Sequence, residues 1–199
     1  GMVAIADEVA ALISSLVTGK AVIVGHSLGG MLAQVLGATH PDICQAIILS
    51  CTHKGRAQPV GSPLRAAEQE RIREREVMDD ASYGAFRVGK MLWGKVDPQI
   101  MAVLAAVAGE IRVEGIRCGG FAMQYLDTSP FLDQITAPVA IFSGANDIVV
   151  KPAAAAALKA ALPLARHWLL RDVGHAPYCE DAASFNSAIE QFLDYVSAV

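Results

Sequence analysis

The stretch AVIVGHSLGG, residues 21–30, constrains this chain more than any other. Four apolar residues, Ala21 to Val24, run into Gly25, and Gly25-His26-Ser27-Leu28-Gly29 then opens a helix-like stretch at 28–39. Continuous apolarity over so short a run is what a parallel strand covered on both faces requires. A G-x-S-x-G pentapeptide between such a strand and a helix predicts a serine on a tight, strained turn, its hydroxyl standing proud of the sheet. Side chains two residues to either side would collide there, which accounts for Gly25 and Gly29. The following helix aims its first N–H groups, and the positive end of its dipole, at the same point. The plainer reading is a glycine-rich turn with an incidental serine, and the strand–helix context weighs against it.

Three further strands follow from the same reasoning: 45–50 (QAIILS), 138–143 (PVAIFS) and 166–170 (RHWLL). The last is more alternating, as an edge strand would be. Helices are expected at 3–17, at 152–161 between Pro152 and Pro163, and at 181–196. In the last of these Phe185, Ile189, Phe192, Leu193 and Val196 share one stripe. Strands alternating with helices predict an α/β domain with a mostly parallel sheet flanked by helices. Residues 53–130 break that rhythm, with helical stretches near 64–78, 81–92, 97–108 and 110–126 and no strand. The expected organisation is a core of 1–52 and 131–199 with a helical segment, 53–130, inserted between strands. Arg71, Arg73 and Arg75 alternate there with Glu70, Glu74 and Glu76, which reads as a solvated helix face.

A serine needs a general base, and the base an orienting acid. Asp147 follows the third strand in SGANDIVV, and His175 follows the fourth in RDVGHAPY. Both therefore fall on the rim that carries Ser27, where open α/β sheets build their sites. Asp172 is nearer His175 in sequence but sits at a strand end that need not face the pocket, so loop position favours Asp147. His40 ends a helix and His167 lies within a strand. His26 and His53 follow strands and are candidate pocket residues; packing suits His26 as well, and a surface loop suits His53. Met91, Trp93, Met101, Phe121 and Met123 suit either an apolar acyl pocket or the packing of helices on one another, and Trp93 and Phe121 are the candidates for the pocket. Cys179 falls near the site in sequence and reads best as a buried, inert thiol.

GHSLGG, GANDIVV and GHAPYCEDAASFNSAIEQFL resemble the nucleophile, acid and histidine loops of the α/β-hydrolase superfamily. They occur in that order, and the resemblance covers essentially the whole chain. Within the superfamily the layout is similar to small bacterial esterases, enol-lactonases and cofactor-free perhydrolases. The resemblance implies Ser27 as nucleophile, Asp147 as acid, His175 as base and Leu28 as donor of one oxyanion-hole N–H. It implies a helical cap at 53–130, no cofactor, and hydrolysis of a carboxylic ester, thioester or lactone through an acyl-enzyme. Perhydrolysis and C–C bond hydrolysis by the same triad are the alternatives. One departure stands out. Members usually carry several strands and a His-Gly-type loop, donor of the second oxyanion-hole N–H, ahead of the nucleophile strand. Here the chain opens at the helix before that strand, so an N-terminally shortened member is expected. A catalytically impaired fragment is then a third reading.

Composition excludes other classes. The net charge is −4 and no Lys/Arg cluster occurs, so neither nucleic acid nor an anionic membrane surface is an expected partner. No apolar run is long enough to span a bilayer. The N-terminus carries Asp7 and Glu8 where a signal peptide would be basic, which points to the cytoplasm. Cys44, Cys51, Cys118 and Cys179 show no C-x-x-C spacing and read as reduced thiols, not metal ligands. With the nucleophile strand at an edge, its unpaired backbone predicts a homodimer formed through that edge.

Overall fold

The computed structural model describes residues 1–198. In chain order it contains α1 (Met2–Leu16), β1 (Ala21–His26), α2 (Leu28–Thr39) and β2 (Cys44–Ser50). Four helices follow: α3 (Ala66–Val77), α4 (Asp80–Gly89), α5 (Pro98–Gly109) and α6 (Val113–Tyr125). The chain then returns through α7 (Ser129–Leu132), β3 (Val139–Gly144), α8 (Pro152–Ala161), β4 (Arg166–Leu170), α9 (Pro177–Glu180) and α10 (Ala182–Ser197).

All three strand pairings are parallel, and the order across the sheet is β1-β2-β3-β4. β1 is thus one edge, and the alternating strand, β4, is the other, as its pattern predicts. β1 runs two residues further than its apolar stretch, because Gly25 and His26 stay in register with Leu49 and Ser50. Backbone pairing, not hydrophobicity, carries it to the turn.

The continuous apolar runs of β2 and β3 are buried on both faces, whereas that of β1, expected to be covered likewise, is only half-buried because β1 lies at the edge. In β2, Ile47 and Leu49 face α1, α2, α7 and α8, packing with Ala10, Leu36, Leu132 and Leu158. Ala46 and Ile48 face the other way, with Phe142 of β3 and Phe185 and Phe192 of α10. Phe142 meets Trp168 and Phe185 edge-on, at ring separations of 5.1 and 5.5 Å. Such aromatic pairs add to the area that they bury.

The helices between β2 and β3 have a smaller core of their own: Leu64, Ile72, Tyr83 and Ile116. α3 packs on α6, and α4 on α5. α4 and α5 start at capping aspartates, Asp79 and Asp97, whose side chains accept N–H groups of the first turn. The base of this segment is closed by an antiparallel bridge between Gly55 and Asp127. Gln34 of α2 anchors it further: its amide donates to the His53 carbonyl at 3.2 Å and accepts the Thr128 hydroxyl at 2.6 Å. The charged run on α3 is not the uniformly solvated face that its alternation predicts. Arg73 does face solvent, paired with Glu70, but the Arg75 side chain is only 10% exposed. It reaches Asp80 and donates to the Ile111 carbonyl at 2.7 Å, because the turn from α5 into α6 lies beside that part of α3.

Candidate active site

Ser27 sits between β1 and α2 with φ 53° and ψ −119°, a left-handed conformation that costs a non-glycine residue about 1–3 kcal/mol. Its neighbours hold it there. The Ser27 N–H donates to Ser50 O at 2.9 Å, and its carbonyl accepts from Gly30 N at 3.0 Å and Thr52 Oγ1 at 2.6 Å. A Cβ at Gly25 would lie 2.5 Å from the Gly29 carbonyl and 2.8 Å from the Ala33 Cβ. The motif's second glycine is a correction to the steric argument: a Cβ at Gly29 meets nothing within 4 Å. Gly30 carries that constraint instead, since a Cβ there would come within 2.5 Å of Thr52.

Asp147 and His175 arrive from the loops after β3 and β4. The two loops are tied together by Ala145 N to Leu170 O at 2.9 Å and Asn146 N to Val173 O at 3.0 Å. Ser27 Oγ lies 3.2 Å from His175 Nε2, and His175 Nδ1 lies 2.8 Å from Asp147 Oδ2. The other Asp147 oxygen accepts two N–H groups, from Val149 and Val150, each at 2.8 Å. With Oδ1 so occupied, Oδ2 accepts the Nδ1–H, which leaves Nε2 as the acceptor facing Ser27. Asp147 and His175 are both buried. Asp172 is exposed, with φ 55°, and the carboxylate paired with His175 among the described residues is that of Asp147.

The N–H of Leu28, first residue of α2, is claimed by no backbone carbonyl among the described residues. It is available at the positive end of the helix. His26 Nε2 donates to the His175 carbonyl at 2.7 Å, and the two rings lie 4.7 Å apart. Burial lowers the His26 pKa despite that bond, so its ring is a neutral prop against the His175 loop. His53 accepts the Gly55 N–H on Nδ1 at 3.0 Å, and its pKa is lowered by burial and then by Arg56.

Ser27, His26, His53 and His175 open onto a cavity of about 1180 Å³. Its apolar wall includes Met91, Leu92, Leu104 and Met123. Trp93, Met101 and Phe121 are not part of the lining, a correction for the two aromatic residues expected there. The backbone N–H of Trp93 donates to Glu180, and the residue is 59% exposed. Phe121 packs into the core of the helical segment and stacks on Tyr125.

Glu180 has no counterpart in the reading of the sequence. Its carboxylate accepts N–H groups from Trp93, Gly94, Gly174 and Ala176, at 2.7, 3.2, 3.0 and 3.0 Å. It therefore clamps the histidine loop on both sides of His175 and ties it to the segment after α4. His175 N completes the link by donating to Met91 O at 3.0 Å. The visible signal was an acidic residue five places after His175, in GHAPYCED.

His26, Cys51 and His175 present three metal-ligating atoms within 4.8 Å of one another. Burial, then Asp147, pushes the Cys51 thiol up to about 12. The Cys179 thiol is raised by burial to about 11 and bonds the Ala176 carbonyl.

A parallel sheet between helix layers, with a serine on a strained strand–helix turn, is the architecture of an α/β hydrolase. A family model described as alpha/beta hydrolase fold matches residues 1–182. The chain belongs to that family and is a hydrolase enzyme. It is 26% identical over 193 residues to a pimeloyl-[acyl-carrier protein] methyl ester esterase of Chromobacterium violaceum, covering 95% of this chain and 76% of the relative. The enol-lactonase of Burkholderia xenovorans LB400 has the same fold, with a TM-score of 0.78 at 23% identity over 95% of this chain and 71% of that one. An esterase of Exiguobacterium antarcticum superposes with a TM-score of 0.81 at 17% identity, over 96% and 72%. At these identities the two structures speak for the fold alone. No helix among the described residues is long and apolar enough to cross a membrane.

Proposed function

We propose that the chain hydrolyses carboxylic esters, thioesters or lactones through an acyl-enzyme on Ser27. Ser27 Oγ attacks the carbonyl carbon and gives its proton to His175 Nε2, while Asp147 holds the Nδ1–H and stabilises the imidazolium. The Leu28 N–H is one donor to the tetrahedral oxyanion. His175 then returns the proton to the departing alcohol or thiol, and water, activated by the same base, releases the acid. The observation that carries this reading is the unbroken hydrogen-bonded chain from Ser27 through His175 to Asp147 at a cavity wall. The name of the Chromobacterium methyl ester esterase supports it at the level of ester chemistry.

On this reading residues 53–130 act as a cap that selects the acyl group, supported by Met91, Leu92 and Met123 in the cavity wall. A cytoplasmic location is proposed with it, supported by four unpaired cysteines. A fluorophosphonate probe tests the nucleophile: it should label the wild-type chain and not Ser27→Ala. A folded wild-type protein that takes up no label would overturn the assignment and leave a fold without turnover.

The reading includes a homodimer. β1 is an edge strand with apolar Val24 more than half exposed, and a two-fold axis would pair that edge in both subunits at once. Light scattering on a size-exclusion peak should report a dimer that Val24→Lys dissociates. A wild-type monomer at high concentration would refute it.

A further inference from the structure

The wall of the cavity is charged in a way that the chain as a whole is not. The net charge of the chain is −4, yet among the described residues seven cationic side chains line the cavity against three acidic ones. Each acidic group already has a cation: Glu68 faces Arg65 at 3.7 Å, Glu70 pairs with Arg73, and Glu74 pairs with Lys90. One Glu68 oxygen, Oε2, remains without a donor, so the wall is not uniformly positive.

Arg56, Arg71 and Arg87 are different. They come from the loop before α3, from α3 and from α4, and none takes part in an ion pair among the described residues. Arg71 donates Nε–H to the Tyr83 hydroxyl at 3.1 Å. The Nε atoms of Arg56 and Arg87 are buried and have no acceptor among the described residues. The groups also crowd one another. Burial and then Arg65 lower the Arg56 pKa, and burial and then Arg71 lower that of Arg87, against a smaller opposing pull from Glu68 on both and from Glu74 on Arg87. Leaving buried donors unpaired and like charges adjacent is unfavourable. A carboxylate or phosphate offsets both at once, because the guanidinium fork matches their oxygens.

We propose that this arginine wall receives the anionic end of the substrate, so that the chain prefers esters bearing a carboxylate or phosphate remote from the scissile bond. The proposal rests on the cavity beside Ser27 being where the ester sits. The apolar side chains Met91, Leu92 and Met123 line the same cavity, and they suit the methylene chain between the two ends.

The test reads binding rather than turnover. In Ser27→Ala protein, calorimetry compares monoethyl suberate with diethyl suberate, and 1-octanoylglycerol 3-phosphate with 1-octanoylglycerol. The anion of at least one pair should bind about ten- to hundredfold tighter than its neutral match, the scale of a charge-assisted hydrogen bond or two. The pair with the larger advantage shows whether the anion belongs to the acid half or the alcohol half. Adding Arg87→Gln, or Arg56→Gln should that chain fail to fold, should reduce the advantage about tenfold; Lys95→Gln, outside the cavity, should not. Equal affinities within both pairs overturn the proposal, as does an advantage that survives both arginine substitutions. A binding advantage in a chain whose wild type turns over no ester refutes the hydrolytic reading and leaves this one standing.

Discussion

Ser27, Asp147 and His175 stand at the ends of β1, β3 and β4, and backbone hydrogen bonds from the sheet and its loops fix each of them. Arg56, Arg71 and Arg87 reach the same cavity on long side chains from helices and a loop with a much smaller core. The sheet therefore holds a short-range geometry that tolerates no displacement. The helical segment carries charge and apolar side chains on the cavity wall, and only its backbone around Met91–Gly94 is bonded to the histidine loop. Nucleophilic attack needs the first kind of support; selection among substrates works with the second.

The largest expected effects lie in the sheet. Ser27→Ala and His175→Ala should each lower kcat on a short p-nitrophenyl ester by about 10⁵–10⁶-fold; Ser27→Ala should keep the melting temperature, while His175→Ala should lower it because buried Asp147 loses its partner. Full activity in His175→Ala would remove it as the base. Asp147→Asn should lower kcat by about 10³–10⁴-fold, because the amide favours the wrong histidine tautomer. Asp172→Asn should change nothing, and a reversed pattern would move the acid to Asp172.

Tyr83→Ala probes the other region. Tyr83 is fully buried among the helices between β2 and β3. Deleting the ring should weaken that segment by about 3–5 kcal/mol. Hydrogen exchange should then show protection lost across α3–α6 and kept in β2 and β3. A uniform loss over the whole chain would mean that the two regions unfold as one unit.

Glu180→Ala tests where the two regions meet. Releasing the histidine loop should lower kcat by about 10²-fold with a smaller change in KM, since a shift near 1 Å is enough for that. Glu180→Gln should recover part of the rate, because its carbonyl oxygen still accepts N–H groups. A loss confined to stability would make Glu180 a fold residue only.

The smallest effects belong to the cavity wall. Met91→Ala and Met123→Ala should shift the acyl-length preference by about tenfold in kcat/KM, the scale of one or two methylenes. Trp93→Ala should leave that preference alone. Equal losses at every acyl length would mean that these methionines support the site and do not select substrate.

Much of this arrangement was legible before any coordinates. Apolar runs at 45–50 and 138–143 mark strands buried on both faces, the run at 21–24 marks a strand that is only half-covered at the sheet edge, and Gly25 to Gly29 marks the turn, because these signals are local in the chain. The order serine, aspartate, histidine, each just past a strand, puts all three on one rim through topology alone. What escaped depends on which segments meet. Gly30, not Gly29, is the crowded glycine because Thr52 arrives from β2. Trp93 and Phe121 are apolar in sequence, yet one faces solvent and the other packs between helices. The charges of α3 alternate as a solvated face would, but that helix is roofed by α6 on one side and opens onto the cavity on another. Glu180 matters because four N–H groups from two separate stretches converge on it. Periodicity records which faces are buried and turn chemistry records where the chain reverses; convergence of side chains from distant segments is settled only when those segments pack.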